Sequence, residues 1–519
     1  EGDWLRPYGR GSECREKSVS EEMMGKKQEG KERMNILWIC TDQQRFDTLG
    51  CYGNPWVKTP NLDRLASEGV LFERAYSQSP VCAPSRGCFL TGRYPRTCGP
   101  RQNGQDIDER ERLFPAMLAD HGYYCGLSGK LHLSACHDST GRLTEPRIRD
   151  GYHFFSWSHH PQPHAGTNWP TNAYNQFLID HGLDYVTPDR KDCRYVQTGM
   201  PEEFHQTTWC VDEAIRFMEG ARVFGKSWMF SLNCFDPHHP FDPPAEYLER
   251  YLDRLDQIPL PDYEEGELET KPVFQRKDHE GAYDTPGYLA YDEMTDRDHR
   301  MITAAYWAMI DLIDHQVGRL LDYLEETGQR ENTLILFHSD HGENLGDHGM
   351  YLKGPYFYEN NIHVPLIISM PGTIPEGERR RALVELADLA PTLCEAAGLP
   401  AYEGFQGKSF WKLLTGEKQE DFHRDSIYSE YYNSNINHRN PLAFATCVCD
   451  GRYKLVKVHK RPGEEGCEGE LYDLEEKPLE RVNHYEDRNF TEVKMRLLEL
   501  MCDRMAQTCD PLPVRKASW

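Results

Sequence analysis

The chain has 519 residues and a mass of 60.3 kDa, room for one large α/β domain with an appendage or for two or three domains. A formal net charge of −25 excludes nucleic acid and anionic membrane surfaces as partners, since both need a basic footprint, and no run reaches the apolar length that spans a bilayer. Seventeen cysteines, an odd number without the spacing of a disulfide framework and with no apolar leader ahead of them, read as a reduced, cytoplasmic protein.

Residues 1–33, rich in Glu, Lys and Gly, read as a polar N-terminal extension, with Met34 as the natural start. Residues 35–41 are a nearly continuous apolar run, the pattern of a strand buried on both faces of an α/β sheet. The run ends at Asp42 and Gln43, and ligand groups in open α/β sheets lie beyond the carboxyl ends of strands. Thr59 and Pro60 open a helix that carries Leu62, Leu65 and Ala66 and stops at Gly69.

Residues 81–92 read V-C-A-P-S-R-G-C-F-L-T-G. Pro84 suits a first helical turn because its missing N–H costs nothing there. A helix N-terminus carries unpaired N–H groups and a positive dipole end, so Cys82 and Arg86 mark a place built to hold an anion. A helix at 114–122 and a strand at 124–128 then deliver Gly129-Lys130-Leu131-His132. From 134 to about 205 the text is irregular and carries His159, His160 and His164, whose spacing matches no standard metal site; a solvated or substrate-lining loop is the reading.

A helix near 203–219 precedes an apolar strand at 228–232, which leads to His238 and His239 in P-H-H-P. The acidic, Pro-rich stretch 245–295 reads as surface. Ile302, Tyr306, Met309, Ile313, Val317, Leu320 and Leu324 recur at spacings of three and four, a long amphipathic helix ending at Gly328. A buried strand at 333–338 delivers Ser339-Asp340-His341-Gly342-Glu343, as the first strand delivers Asp42 and Gln43. A strand at 365–369, a helix at 386–397 and a linker at 400–425 follow. Strand-like runs at 427–431, 442–449, 453–458 and 470–474 and a closing helix at 491–505 read as a small antiparallel α+β domain. Cys447 and Cys449 share a strand face, which packing explains better than metal.

Asp42, Gln43, Asp340 and His341 thus arrive at two strand ends with two carboxylates, an amide oxygen and an imidazole, the donor set of a divalent-cation site. The run C-x-P-S-R followed by L-T-G-R resembles the sulfatase signature, in which the cysteine is oxidised after synthesis to formylglycine; a hydrated aldehyde offers one hydroxyl to attack and another to expel. The resemblance runs from Asn35 to about Leu474. It implies the alkaline phosphatase superfamily fold, a large mixed sheet sandwiched by helices over 34–415 and a smaller α+β subdomain with an antiparallel sheet over 416–519.

The resemblance also assigns roles. Metal ligands match Asp42, Gln43, Asp340 and His341, although many sulfatases have Asp and Asn where this chain has Gln43 and His341. Calcium is the usual ion; an imidazole donor favours manganese or zinc. Lys130, His132, His238 and Lys353 match catalytic groups. Lys130 polarises sulfate, Asp340 activates the attacking hydroxyl, His238 with Lys353 protonates the leaving alkoxide, His132 takes the second hydroxyl's proton, and Arg86 holds the hydrate and the carboxylates. The implied substrate is a sugar, steroid, aryl or alkyl sulfate, and the implied partner a formylglycine-generating maturation enzyme. Asn103 in R-Q-N-G, a substrate-binding candidate, and His341 also resemble the phosphonate monoesterase and phosphodiesterase branch; a metal-binding protein without turnover would need Cys82 unmodified.

Overall fold

Asn35–Thr41 (β1) is buried along its whole length, because its side chains alternate between two cores. Ile36, Trp38 and Cys40 belong to one and Leu37 and Ile39 to the other, the period of two that a pleated strand imposes. The computed structural model describes residues 33–161, 169–435, 437–439, 442–460, 469–477 and 479–517. Residues 1–32 of the polar extension, and His164, lie outside the described residues.

β1 sits inside an eight-stranded mixed sheet ordered Glu378–Arg380, Val70–Phe72, Leu366–Ser369, Thr333–Ser339, β1, Trp228–Asn233, Tyr124–Gly129 and Phe154–Trp157. We label Tyr124–Gly129 β2, Trp228–Asn233 β3 and Thr333–Ser339 β4. β1 runs parallel to β3 and β4, and β2 parallel to β3, whereas Leu366–Ser369 is antiparallel to β4. The register pairs Cys40 with Asn233, Thr41 with Ser339 and Gly129 with Asn233. One edge of the sheet therefore releases Asp42, Lys130, Cys234 and Asp340 side by side.

Helices cover both faces. The core on one side joins Leu37, Phe230 and Ile335 to Gln206–Val223 and to the 31-residue helix Asp296–Glu326. That long helix starts at a capping box, Thr295 with Asp298, which satisfies orphan N–H groups at its first turn. The opposite core joins Trp38, Met229 and Leu336 to the helices Cys82–Thr91 (α1), Phe114–Asp120 and Leu389–Ala396.

A second sheet of four antiparallel strands, Ile427–Tyr432, Phe444–Cys449, Tyr453–Val458 and Gly469–Asp473, has helix Thr491–Gln507 on one face. Its other face, with Cys447, Cys449 and Val456, packs with Tyr76, Val81 and Phe357. Cys447 and Cys449 are thus packing residues, and the cysteines of the described residues are all unpaired. Two stretches differ from expectation. Residues 245–295 hold the helices Ala245–Leu252 and Val273–Glu280 and bury Tyr247, Leu248, Tyr251 and Phe274; charges between these anchors hide the apolar face. The expected linker contributes Phe410, Leu413 and Leu414 to the second core. Among the described residues no helix is long and apolar enough to cross a membrane.

Candidate active site

Cys82 is the first residue of α1, whose N-cap is the extended Val81. Its Sγ lies 3.2 Å from Lys353 Nζ, 3.2 Å from His341 Nε2 and 3.6 Å from Asp42 Oδ1. Burial and Asp42 push the thiol's pKa up, but the Lys130 and Lys353 ammonium groups outweigh them and leave it below the ordinary value. The helix start is held by side chains. Asn103 Oδ1 accepts the Ala83 N–H at 3.0 Å, and Ser85 Oγ donates to the Asp340 carbonyl at 2.6 Å. Asn103 lines the cavity, but its oxygen anchors α1, and its own N–H donates to Ser434 Oγ.

Arg86, 1 % exposed, ties the two strand ends together. Its Nε donates to Asp340 Oδ2 at 2.9 Å, one terminal nitrogen to Asp42 Oδ2 at 2.9 Å and the other to the Lys130 carbonyl at 3.0 Å. A planar guanidinium makes these contacts at fixed angles, which a lysine cannot. Lys130 Nζ lies 2.6 Å from Asp42 Oδ2. Burial works against both charges, yet the ion pair wins: Lys130 is raised and Asp42 is held well below the carboxylate range by Lys130 and Arg86.

Asp42, Cys82, Asp340 and His341, all buried, each bring a donor atom to within 4.8 Å of the others. His341 Nδ1 lies 2.9 Å from the Gly342 carbonyl, which places the proton on Nδ1 and turns the Nε2 lone pair into the group. Two carboxylates and an inward imidazole fit a divalent cation. Gln43, in left-handed backbone at φ 65°, is turned to the same place; its Oε1 accepts from Lys353 Nζ and its Nε2 donates to Glu343.

His132 (φ 54°) and His238 reach the same cavity, of about 520 Å³, together with His159, His160 and His239. Burial first, then His159 and Lys130, drives His132 well below its ordinary pKa, and its buried Nδ1 has no hydrogen-bond partner among the described residues. Burial, with Lys353 and His239, does the same to His238, whose Nδ1 lies 2.6 Å from the His239 carbonyl. Three groups that position these residues went unassigned in the sequence. Glu145 accepts the backbone N–H groups of His132, Leu133 and Ser134. Glu343 accepts from Gln43, Leu345 N and Leu352 N. Tyr306 donates to the Gln43 carbonyl at 2.5 Å. Glu343 belongs to the strand-end motif 339–343, Tyr306 was legible only as part of the long helix's apolar face, and Glu145 had no local signal.

The sulfatase family model matches residues 34–399, and a model described as N-sulphoglucosamine sulphohydrolase, C-terminal, matches 346–507. An arylsulfatase of Clostridium perfringens is 30% identical over 474 residues, covering 88% of this chain and 91% of that protein. An N-acetylglucosamine-6-O-sulfatase of Bacteroides thetaiotaomicron is 26% identical over 534 residues, covering 93% and 88%. Among solved structures, a phosphonate monoester hydrolase of Agrobacterium radiobacter superposes with a TM-score of 0.75 at 26% identity, covering 92% of this chain and 96% of that one.

Proposed function

Since the chain belongs to the sulfatase family and is a sulfuric ester hydrolase, we propose that Cys82, converted by a maturation enzyme to formylglycine, is the point at which it attacks sulfate monoesters. The observation that carries this is the setting of Cys82: a buried first helical turn, open to a cavity and faced by Lys353 and His341 at 3.2 Å each. A hydrated aldehyde there supplies two hydroxyls on one carbon. A divalent cation, calcium first with manganese or zinc next, would be held by Asp42, Asp340, His341 and the Gln43 amide oxygen, and when bound it supplies positive charge to sulfate oxygens.

The chain's own residues divide the remaining work. Lys130 and Lys353 present ammonium groups to the sulfate oxygens, and Arg86 keeps Asp42 and Asp340 aligned. Asp340 accepts the proton of the attacking hydroxyl. His238 and Lys353 face the leaving oxygen. His238 is kept neutral in the free site, and the anionic ester, set among these cations, favours the imidazolium that an alkoxide needs. His132, neutral and with an unengaged Nδ1, is the base that takes the second hydroxyl's proton and lets sulfate depart. Asn103 acts on substrate through the helix start it anchors.

The substrate class is a sulfated sugar, in keeping with an N-acetylglucosamine-6-O-sulfatase among the relatives and with the tyrosine and asparagine side chains that line the cavity. The unpaired thiols of the described residues suit a reducing compartment, so a cytoplasmic location is part of this reading. Steady-state hydrolysis of 4-nitrophenyl sulfate and of 4-nitrophenyl phenylphosphonate tests the reaction class. The sulfate ester should have the higher kcat/KM, and the reverse order would overturn the reading.

A further inference from the structure

A second cavity of about 440 Å³ lies against the first, and the two share His239 and Tyr288 as a common wall. Both volumes fall in the range of about 300–1,000 Å³ typical of small-ligand sites. The first cavity is lined by Cys82, Lys130, His132, His238 and Lys353; the second is lined by Arg194, Tyr195, Gln197 and Phe241.

The same chain segment builds both. His238 of the reacting site is followed by His239, Pro240 and Phe241, which floor the second cavity, and Gln197 N donates to the Phe241 carbonyl at 2.9 Å. A bridge between Val196 and Phe241 and a bond from Gly199 N to the Pro243 carbonyl at 2.9 Å fasten the strand Cys193–Gln197 to it. The dividing loop closes on itself. Ala282 N bonds the Tyr288 carbonyl at 2.7 Å and Tyr288 N the Thr285 carbonyl at 3.0 Å, while Tyr283, Asp284 and Leu289 hold left-handed backbone. Asp278 Oδ1 fixes the loop through Asp284 N at 2.8 Å. Tyr288 is therefore a placed wall, 42% exposed at its edge.

The lining decides what fits. No carboxylate lines either cavity among the described residues. Arg194 pairs with Glu293 at 2.9 Å, donates to the Tyr195 hydroxyl at 2.6 Å and lies over that ring at 4.8 Å, so its charge has a partner and the ring is braced. Braced aromatic rings offer a negative face to the C–H groups of a pyranose, and the polar groups at the rim meet its hydroxyls. We propose that the second cavity is a binding subsite for a neutral sugar ring attached to the sulfated one, so that the preferred substrate is a sulfated oligosaccharide that extends across the His239–Tyr288 wall.

This rests on the sulfate-ester reading, and release of sulfate from 4-nitrophenyl sulfate, which has no second ring, reports on that reading alone. The subsite is tested by kcat/KM for N-acetylglucosamine 6-sulfate against the same sulfated residue glycosidically linked to galactose. The disaccharide should be favoured about tenfold in the wild type, the order expected of one well-stacked ring. Tyr195→Ala should bring the ratio to near one, while Tyr195→Phe should keep it. A wild-type ratio near one, a preference that survives Tyr195→Ala, or hydrolysis of the aryl ester with neither sugar accepted would overturn the proposal.

Discussion

Glu145 accepts the backbone N–H of His132 at 3.0 Å from thirteen residues further along the chain. The same carboxylate takes Leu133 N at 2.5 Å, Ser134 N at 3.2 Å and the Trp157 indole N–H at 2.7 Å. It thereby holds the turn in which His132 adopts φ 54°. Glu145→Gln replaces one acceptor oxygen by an N–H₂ that faces donors, a loss of about 1–3 kcal/mol for a buried group left unsatisfied. Denaturant unfolding should show that loss, and kcat for 4-nitrophenyl sulfate should fall about ten- to a hundredfold as His132 leaves its position.

His132 and His238 separate in time. His132 acts after the alcohol has left, so His132→Ala should release about one alcohol per active site and then stall. A lost general base costs about a hundred- to ten-thousandfold in its own step. His238→Ala should slow the first release, most for alkyl sulfates, whose alkoxides need a proton, and least for activated aryl esters. Rapid-quench measurement of alcohol release distinguishes the two; absence of a burst in His132→Ala would assign the base elsewhere.

Asp42 and Asp340 supply the formal negative charge of the donor group. Asp42→Ala or Asp340→Ala should remove bound metal and activity together, because one carboxylate with an imidazole holds a hard cation poorly. Elemental analysis of the purified variants checks this, and full occupancy in both would contradict the ligand set.

Asp314, on the helix Asp296–Glu326, accepts Leu62 N at 2.7 Å and Asn61 Nδ2 at 2.9 Å and so fixes the start of the helix Pro60–Ser67. Burial nevertheless raises its carboxyl to about 6, against those bonds. The folded state therefore binds this proton more tightly than the unfolded chain. Its stabilising contribution is complete below about pH 4 and is lost as the pH rises through about 6, at most about 3 kcal/mol. Asp314→Asn should flatten the stability profile over that window. Equal slopes for the wild type and the variant in urea unfolding at several pH values would refute the assignment.

What could be read in sequence follows from how local each constraint is. β1 and β4 were legible because strands buried on both faces are continuous apolar runs, and their ends exposed Asp42, Gln43, Asp340 and His341 as neighbours. The long helix was legible from its period alone. The roles of Glu145, Glu343 and Tyr306 were not, because each acts on the backbone or amide of a residue placed beside it only by the sheet and helices; Tyr306 meets Gln43 from 263 residues away. Acidic residues and prolines in 245–295 hid a buried face whose anchors, such as Tyr247 and Tyr251, stand one turn apart. Asn103 was visible as a polar candidate, but only the fold shows its oxygen engaged by Ala83.

The central claim is that sulfate release depends on Cys82 in converted form. The most direct measurement takes preparations that differ in the degree of conversion and compares sulfate released from 4-nitrophenyl sulfate with the mass of the peptide containing residue 82. Exchange of H₂S for an aldehyde oxygen lightens that peptide, and turnover should rise in proportion to the lighter fraction and vanish in Cys82→Ala. Undiminished sulfate release from protein whose Cys82 is wholly thiol, or from Cys82→Ala, would contradict the account.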